Sequence, residues 1–386
     1  MNSPWLRPEL SSLGTTIFAE MSSLAVERGA INLGQGFPDL DGPEEIKKVA
    51  IDAINSGHNQ YPPGIGIPEL RRAVASHQLR RYQMEWDPAT EVLVTAGATE
   101  AIAAAILALV SPGEEVLLVE PFYDAYYAAT LIAGGSPRAV RLRGRDFSLD
   151  PDELRARISG KCKVLVLNNP LNPAGKVFTR EELLVVAAVA EEFNLVVVAD
   201  EVYEHLVFEG SHQHFASLPG MRERTLSISS MAKTFSLTGW KVGWVTGPAN
   251  LVSAVRTTKQ FLTYVNGAPL QPAAAFALDN VERLVPQVLG PLRKQRNLLI
   301  KGLSELGFEL HPSNATYFVI SDLGPAKAED SRAFCLDLIE RVGVAAIPTC
   351  AFYMGSDPPI EVRWTFSKQR ATLAEALERL GAVTEW

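Results

Sequence analysis

The stretch KVLVLNNPLNPAGKVFTREELLVVAAVAEEFNLVVVADEVY, residues 163–203, decides how the chain is read. Two short β-rich runs, KVLVL (163–167) and LVVVA (195–199), enclose a helical pattern. Thr179 and Glu182 form a capping box ahead of the apolar series Leu183, Val186, Ala187 and Ala190, and Asn194 can close the helix. Working outward, the same rhythm recurs at EVLVT (91–95), EVLLV (115–119), TLSIS (225–229) and KVGWV (241–245), most of these runs preceding longer helical patterns. Alternation of this kind predicts an α/β fold whose mostly parallel sheet is flanked by helices on both faces.

The two ends of the chain read differently. From about 285 to 306 a helical pattern, interrupted by Pro286 and Pro291, leads away from the sheet. Short strands follow at TYFVI (316–320) and IEVRWTF (360–366), with helices near 330–342 and 371–380, a smaller α+β domain. The first forty residues hold no long strand and are rich in turn formers around GQGFPD (34–39), so they are expected to drape over the rest. The expected division is a large domain over 41–284 and a small domain formed by 1–40 with 285–386.

A chain of 386 residues is long enough for one large or two ordinary domains. Its 47% hydrophobic and 21% charged residues are those of an ordinary folded protein rather than a disordered one. With 36 basic against 44 acidic residues, net −8, it would repel a phosphate backbone, so no nucleic-acid partner is expected. Cys162, Cys335 and Cys350 are odd in number, widely spaced and without a CxxC, which fits neither a disulfide framework nor a zinc site; a reducing cytoplasm and no metal are expected. The longest apolar run, Ala101 to Val110, is far shorter than a membrane span, and the first residues lack the pattern of an export signal.

Four segments carry candidate chemistry. In SSMAKTFSLTGWKVGW (229–244), Ser229, Ser230, Lys233 and Lys241 lie near strand ends, where open α/β sheets place their sites. A lysine there, close to Phe235 and Trp240, can lose charge by desolvation and become an amine able to form a Schiff base; the plain alternative is a solvated loop lysine. Asp200 ends an apolar strand, with Tyr203 three residues on. A buried carboxylate needs a cationic or hydrogen-bonding partner, and a protonated pyridine nitrogen would suit it, although a helix-capping aspartate reads the same way. In NNPLNPAGKVF (168–178), prolines hold Asn168, Asn169 and Asn172 in a rigid turn, or simply link a strand to a helix. In VTAGATEAIAAAILALV (94–110), the amides of Ala98, Thr99 and Glu100 open a helix whose N-terminus favours an anion, as any strand-turn-helix would.

Taken together, a reactive lysine, a buried carboxylate, a polar asparagine and an anion cup are what pyridoxal phosphate requires. At this point the chain resembles the fold-type I, class I/II aminotransferases, from INLGQGFPD (31–39) through NQYPPGIG (59–66) to EVRWTF (361–366), with NPLNPAGK, ADEVY and SSMAKTFSLTGWKVGW as its most specific motifs. Within that superfamily it looks most like the kynurenine aminotransferase and glutamine transaminase K group and its actinobacterial succinyldiaminopimelate aminotransferase relatives.

The resemblance implies a pyridoxal 5'-phosphate enzyme that moves an amino group from an L-amino acid to a 2-oxo acid by a ping-pong cycle. By motif, Lys233 would carry the cofactor covalently and shuttle the proton, Asp200 would pair with the pyridine nitrogen, and Asn172 and Tyr203 would hydrogen-bond its phenolic oxygen. Tyr123 matches the ring-stacking aromatic, while Ala98, Thr99, Ser230 and Lys241 match the phosphate site. Arg363, with Gly36 nearby, matches the guanidinium that forks onto the substrate α-carboxylate. From the residues alone Arg363 also reads as a surface strand arginine, since Ile360, Val362, Trp364 and Phe366 alternate on the opposite face. A homodimer with shared sites is implied, Tyr61 reaching the partner's cofactor phosphate and Tyr264 bordering the partner's substrate pocket.

Three positions depart from the kynurenine aminotransferase pattern: Thr99 replaces a tyrosine over the phosphate turn, Tyr264 is followed by Val265 instead of histidine, and Phe18 replaces a tryptophan of the substrate pocket. The pocket segments around Phe18, Gly36, Tyr61, Tyr123 and Tyr264 contain no assignable Arg or Lys, so neutral or aromatic donors are expected over aspartate. Succinyldiaminopimelate aminotransfer remains an alternative and would need a basic residue at the mouth, such as Arg7. A cysteine-conjugate C–S β-lyase on the same site is a further alternative. A cofactor-sensing transcription regulator is not expected, because the residues before GQGFPD include no basic helix.

Overall fold

The computed structural model describes residues 5–383 apart from 327, 329 and 356. Its centre is a seven-stranded sheet of β1 (Val92–Thr95), β2 (Glu115–Glu120), β3 (Ser136–Arg141), β4 (Cys162–Asn168), β5 (Val196–Asp200), β6 (Thr225–Ser230) and β7 (Gly243–Thr246), in the order β1-β7-β6-β5-β4-β2-β3. All neighbours pair in parallel except β7, which runs antiparallel to both β1 and β6. The six runs read from the sequence are strands here, with ends moved by one or two residues. The seventh, β3, carries Pro137 and two arginines and was not legible as a strand. It lies at the sheet edge, half exposed, where proline costs no ladder bond.

Side chains leave a strand alternately to its two faces, and this period divides the sheet residues between two cores. Leu165, Leu167, Val197 and Ala199 face α5 (Arg180–Glu192), which buries Leu183, Val186 and Ala190 against them. Val164, Val166, Val198 and Ile228 face α3 (Gly97–Leu109), with Ala101, Ile102 and Ala105. The capping box of α5 forms as read: Thr179 Oγ1 accepts from the Glu182 amide at 3.2 Å and Glu182 Oε2 from the Thr179 amide at 2.9 Å. Asn194 takes the left-handed φ of 52° just beyond it.

A further core joins the two chain ends. Met21 and Ala25 of α1 (Ile17–Arg28) and Leu33 pack with Leu292, Leu299 and Leu303 of α6 (Val281–Glu305) and with Val362 and Trp364. Ile31–Asn32 pairs in parallel with Val344–Ala345, and β8 (Phe318–Ser321), β9 (Ile347–Pro348) and β10 (Val362–Thr365) make a second sheet in the order β9-β10-β8. The interruption expected at Pro286 and Pro291 does not occur: α6 runs unbroken through both. The burial of one face, from Leu284 and Val288 through Leu303, outweighs the missing N–H bonds.

Candidate active site

The site grows from one edge of the central sheet. Parallel strands β1, β2, β4, β5 and β6 present their carboxyl ends there, and reversed β7 presents its amino end. Register brings Asn168 opposite Asp200, and both Thr95 and Ser230 opposite Gly243. The loops leaving this edge line a cavity of about 520 Å³, closed on its far side by Phe18, Gly36 and Arg363 from the chain ends. Of the residues assigned to the site by resemblance, all but Tyr61 and Tyr264 line it; Ser229, Asn169, Glu100 and Arg7, also singled out in the sequence, do not.

Asp200 ends β5 in complete burial, accepting from the Tyr126 hydroxyl at 2.6 Å and the Val202 amide at 3.2 Å. Burial drives its carboxyl up to about 6 despite these donors. A carboxylate so placed is completed by a cation with an N–H. Lys233 stands one helical turn past β6, and among the described residues its ammonium makes neither hydrogen bond nor ion pair; it lies 5.9 Å from the centre of the Tyr203 ring and 5.7 Å from that of Tyr317. No protein group among the described residues occupies its Nζ.

The anion cup is built by close packing. Gly97, at φ +75°, opens α3 and presents the amides of Ala98 and Thr99, which have no intrahelical acceptor. A Cβ on Gly243 would meet the Gly97 carbonyl carbon at 2.7 Å, so that position excludes a side chain, and the positive φ of Gly97 disfavours one there, 3.3 Å from Lys241 Nζ. Partial burial and the charge of Lys233 push the Lys241 ammonium below its ordinary range, a cost that a bound dianion would reverse.

Arg363 is buried to 2% exposure, with its guanidinium carbon 3.9 Å from the centre of the Phe318 ring. Its Nη1 donates to Asn172 Oδ1 at 3.0 Å and its Nη2 to the Gly34 carbonyl at 2.6 Å, while Nε is buried without a partner. No carboxylate among the described residues pairs with it, and burial pulls the guanidinium down to about 10. The alternation around it suggested a surface strand arginine; the structure instead covers both faces of β10, leaving a buried cation that calls for an anionic ligand.

Asn168, singled out in the sequence, takes a supporting role, and two residues that carried no signal there, Tyr126 and Tyr317, join it. Asn168 orients two neighbours, donating to the Asp200 carbonyl at 2.9 Å and accepting from the Asn172 amide at 2.8 Å. Tyr126 is found only through its bond to Asp200, and Tyr317 through its hydroxyl donating to the Gly36 carbonyl at 2.6 Å. Burial lifts the Tyr123 phenol to about 12, keeping it neutral at the cavity wall. Tyr61 and Tyr264 lie outside the cavity, 81% and 52% exposed, and meet edge to face with centres 5.6 Å apart. Arg7 does not reach the mouth: its Nη2 donates to the Ile132 carbonyl at 3.3 Å.

The donor set fits pyridoxal phosphate: a cup of amides, Ser230 and Lys241 for the phosphate, Asp200 for the ring nitrogen and the unpartnered Lys233 amine for the aldehyde carbon. Residues 28–380 match the family model for aminotransferase class I and II. A probable N-succinyldiaminopimelate aminotransferase from Mycobacterium tuberculosis is 50% identical, over 97% of this chain and 98% of its own. The methionine aminotransferase of Escherichia coli is 37% identical over 98% and 99%, and the kynurenine–oxoglutarate transaminase of Dictyostelium discoideum 35% identical over 96% and 95%. The solved M. tuberculosis N-succinyldiaminopimelate aminotransferase superposes with a TM-score of 0.95 at 51% identity, covering 97% of this chain and 99% of that one. On these matches and on the cavity they explain, the chain belongs to the class I and II aminotransferases and is a pyridoxal-phosphate-dependent enzyme that transfers amino groups.

Proposed function

We propose that this aminotransferase takes neutral and aromatic L-amino acids as donors, and that the residues gathered at the sheet edge divide the work as follows. Arg363 Nε, with Asn172 beside it, receives the substrate α-carboxylate. Lys233 Nζ would hold the cofactor and, as the base, would take the proton from the substrate Cα. Asp200, backed by Tyr126, would keep a proton on the ring nitrogen, Tyr203 and Asn172 would donate or accept at the phenolic oxygen, and Tyr123 would pack on the ring. Ala98, Thr99, Ser230 and Lys241 hold the phosphate, and Phe18 and Gly36 wall the side-chain end. Pyridoxal phosphate, when bound, supplies the electron sink for the Cα carbanion. In this reading 41–284 is the cofactor-binding unit and the two chain ends, which share a core, close over the substrate. A cytoplasmic location is part of this reading, supported by three widely spaced cysteines that form no disulfide among the described residues.

The observation that carries the donor preference is the cavity's charge inventory. Among the described residues its cations are Lys233, Lys241 and Arg363, each with a role above, so none of these is left for a distal carboxylate. Leaving such a group unpaired costs on the order of several kcal/mol. Phenylalanine, methionine and glutamine should therefore exceed aspartate in kcat/KM by about 100-fold or more. A preference for aspartate would overturn this reading. N-succinyldiaminopimelate belongs in the same comparison because of the M. tuberculosis relative, and a kcat/KM above that of every neutral donor would make it the substrate.

We also propose a homodimer with sites shared between subunits. The exposed Tyr61–Tyr264 pair lies outside the cavity, suited to cover a second copy's site, and Phe261, three residues before Tyr264, is 82% exposed. Mixing inactive Lys233→Ala subunits with Tyr61→Phe subunits should yield hybrids whose one intact site restores activity above the sum of the parents. Sedimentation of an active monomer would exclude the arrangement.

A further inference from the structure

Beneath the cavity floor lies a buried polar cluster that none of the roles above uses. Ser229 and Ser230 are successive residues of β6 and so face opposite ways: Ser230 lines the cavity, whereas Ser229 points beneath it. Under the floor the Ser229 hydroxyl donates to Glu204 Oε1 at 2.5 Å, and the other carboxylate oxygen accepts from the Tyr82 hydroxyl, from the end of α2 (Pro68–Tyr82). Thr234 Oγ1 lies 3.2 Å from His205 Nδ1, and His205 Nε2 lies 3.0 Å from His77 Nε2, also on α2. Ser229, Thr234, Glu204, His205 and His77 are all buried, at 4% exposure or less.

We propose that Glu204 and His205 are positioning residues that clamp the segment carrying Lys233, one holding Ser229 and the other Thr234, the two residues that bracket Ser230–Lys233. This rests on the assignment of Lys233 and Ser230 to the cofactor. The anchors are consecutive residues of the turn that also presents Asp200 and Tyr203, so one rigid unit sets the lysine and the carboxylate relative to each other. The clamp holds in either tautomer. With its proton on Nε2, His205 donates to His77 and accepts from Thr234; with the proton on Nδ1, it donates to Thr234 and accepts from His77. Burial holds His205 well below its ordinary range, at about 3, so the imidazole is neutral and orients rather than titrates at neutral pH.

The test uses the holoenzyme and two nearly isosteric changes, Thr234→Val and Ser229→Ala, with Thr234→Ser as the conservative rescue. Each of the first two should speed cofactor release on dilution, followed by absorbance, by about tenfold and lower kcat by a similar factor with little change in donor KM. Thr234→Ser should restore both. Variants that lose thermal stability but keep the wild-type release rate and kcat would overturn the clamp, as would variants without any change. Borohydride reduction and peptide mapping of the wild type run alongside. A tag absent from Lys233 there would bring down the site assignment and the clamp with it, whereas a tag on Lys233 with unaltered variants would overturn the clamp alone.

Discussion

Replacing Lys233 by alanine is expected to abolish covalent attachment of the cofactor and to lower turnover by about 10⁴-fold or more, the largest loss of any single change in this chain. The physical reason is that, of the two amines among the described residues lining the cavity, Lys241 packs against Gly97 at the mouth of α3 whereas the Lys233 ammonium makes no hydrogen bond or ion pair. Borohydride reduction of the wild type followed by peptide mass mapping should place a pyridoxyl tag on the peptide containing Lys233. The variant should still bind pyridoxal phosphate noncovalently, because the amides, Ser230, Lys241 and Asp200 remain in place. A tag on Lys241, or near-normal turnover of Lys233→Ala, would overturn the assignment.

The second large effect concerns Asp200, and it has opposite signs in function and in stability. Asp200→Ala should lower turnover by roughly 10²–10³-fold, since the ring nitrogen loses the carboxylate that keeps it protonated. In the cofactor-free protein the same carboxylate is a liability. Its folded-state value near 6 lies above the ordinary 3.8, so the folded form binds the proton more tightly than the unfolded form. Below about pH 4 both forms are protonated and nothing is lost. As pH rises through about 6, stability falls, and by pH 8 the ionised group costs roughly 3 kcal/mol. Cofactor-free Asp200→Asn should accordingly be more stable than the cofactor-free wild type at pH 8 and similar to it at pH 4, measured by urea unfolding. An asparagine variant no more stable at pH 8 would show that Tyr126 and Val202 already satisfy the carboxylate.

The chemistry of the site was legible wherever it resided in short contiguous motifs. Lys233 with Ser230, Asp200 with Tyr203, and Asn172 between its prolines could be recognised because each sits within a few residues of a strand end, and strand ends of a parallel sheet converge on one edge. Arg363 was recognisable by resemblance, but its local pattern pointed to the surface. Burial of a strand on both faces depends on what the chain ends bring against it, and alternation within seven residues carries no record of that. The same limit hid β3, whose proline and arginines are acceptable only because it is an edge strand, and it let Pro286 and Pro291 be taken as interruptions of α6.

By itself, then, the sequence determined the α/β class, six of the seven central strands and the capped helix α5, because hydrophobic periodicity and capping are properties of neighbouring residues, and its motifs gave the cofactor and reaction type through their resemblance to the class I/II aminotransferases. Only the tertiary structure decided that Arg363 is a buried cation without an anion, that Tyr126 and Asn168 hold Asp200 and Asn172, that Tyr61 and Tyr264 stand outside their own chain's cavity, that Arg7 is tied to Ile132, and that Glu204 and His205 meet Ser229 and Thr234 beneath the floor. Apart from the Asn168–Asn172 bond, which spans four residues, these depend on residues from tens to hundreds of positions apart or on removal from water. Desolvation and long-range hydrogen bonding exist only once the layers have packed, so no local reading of the chain contains them.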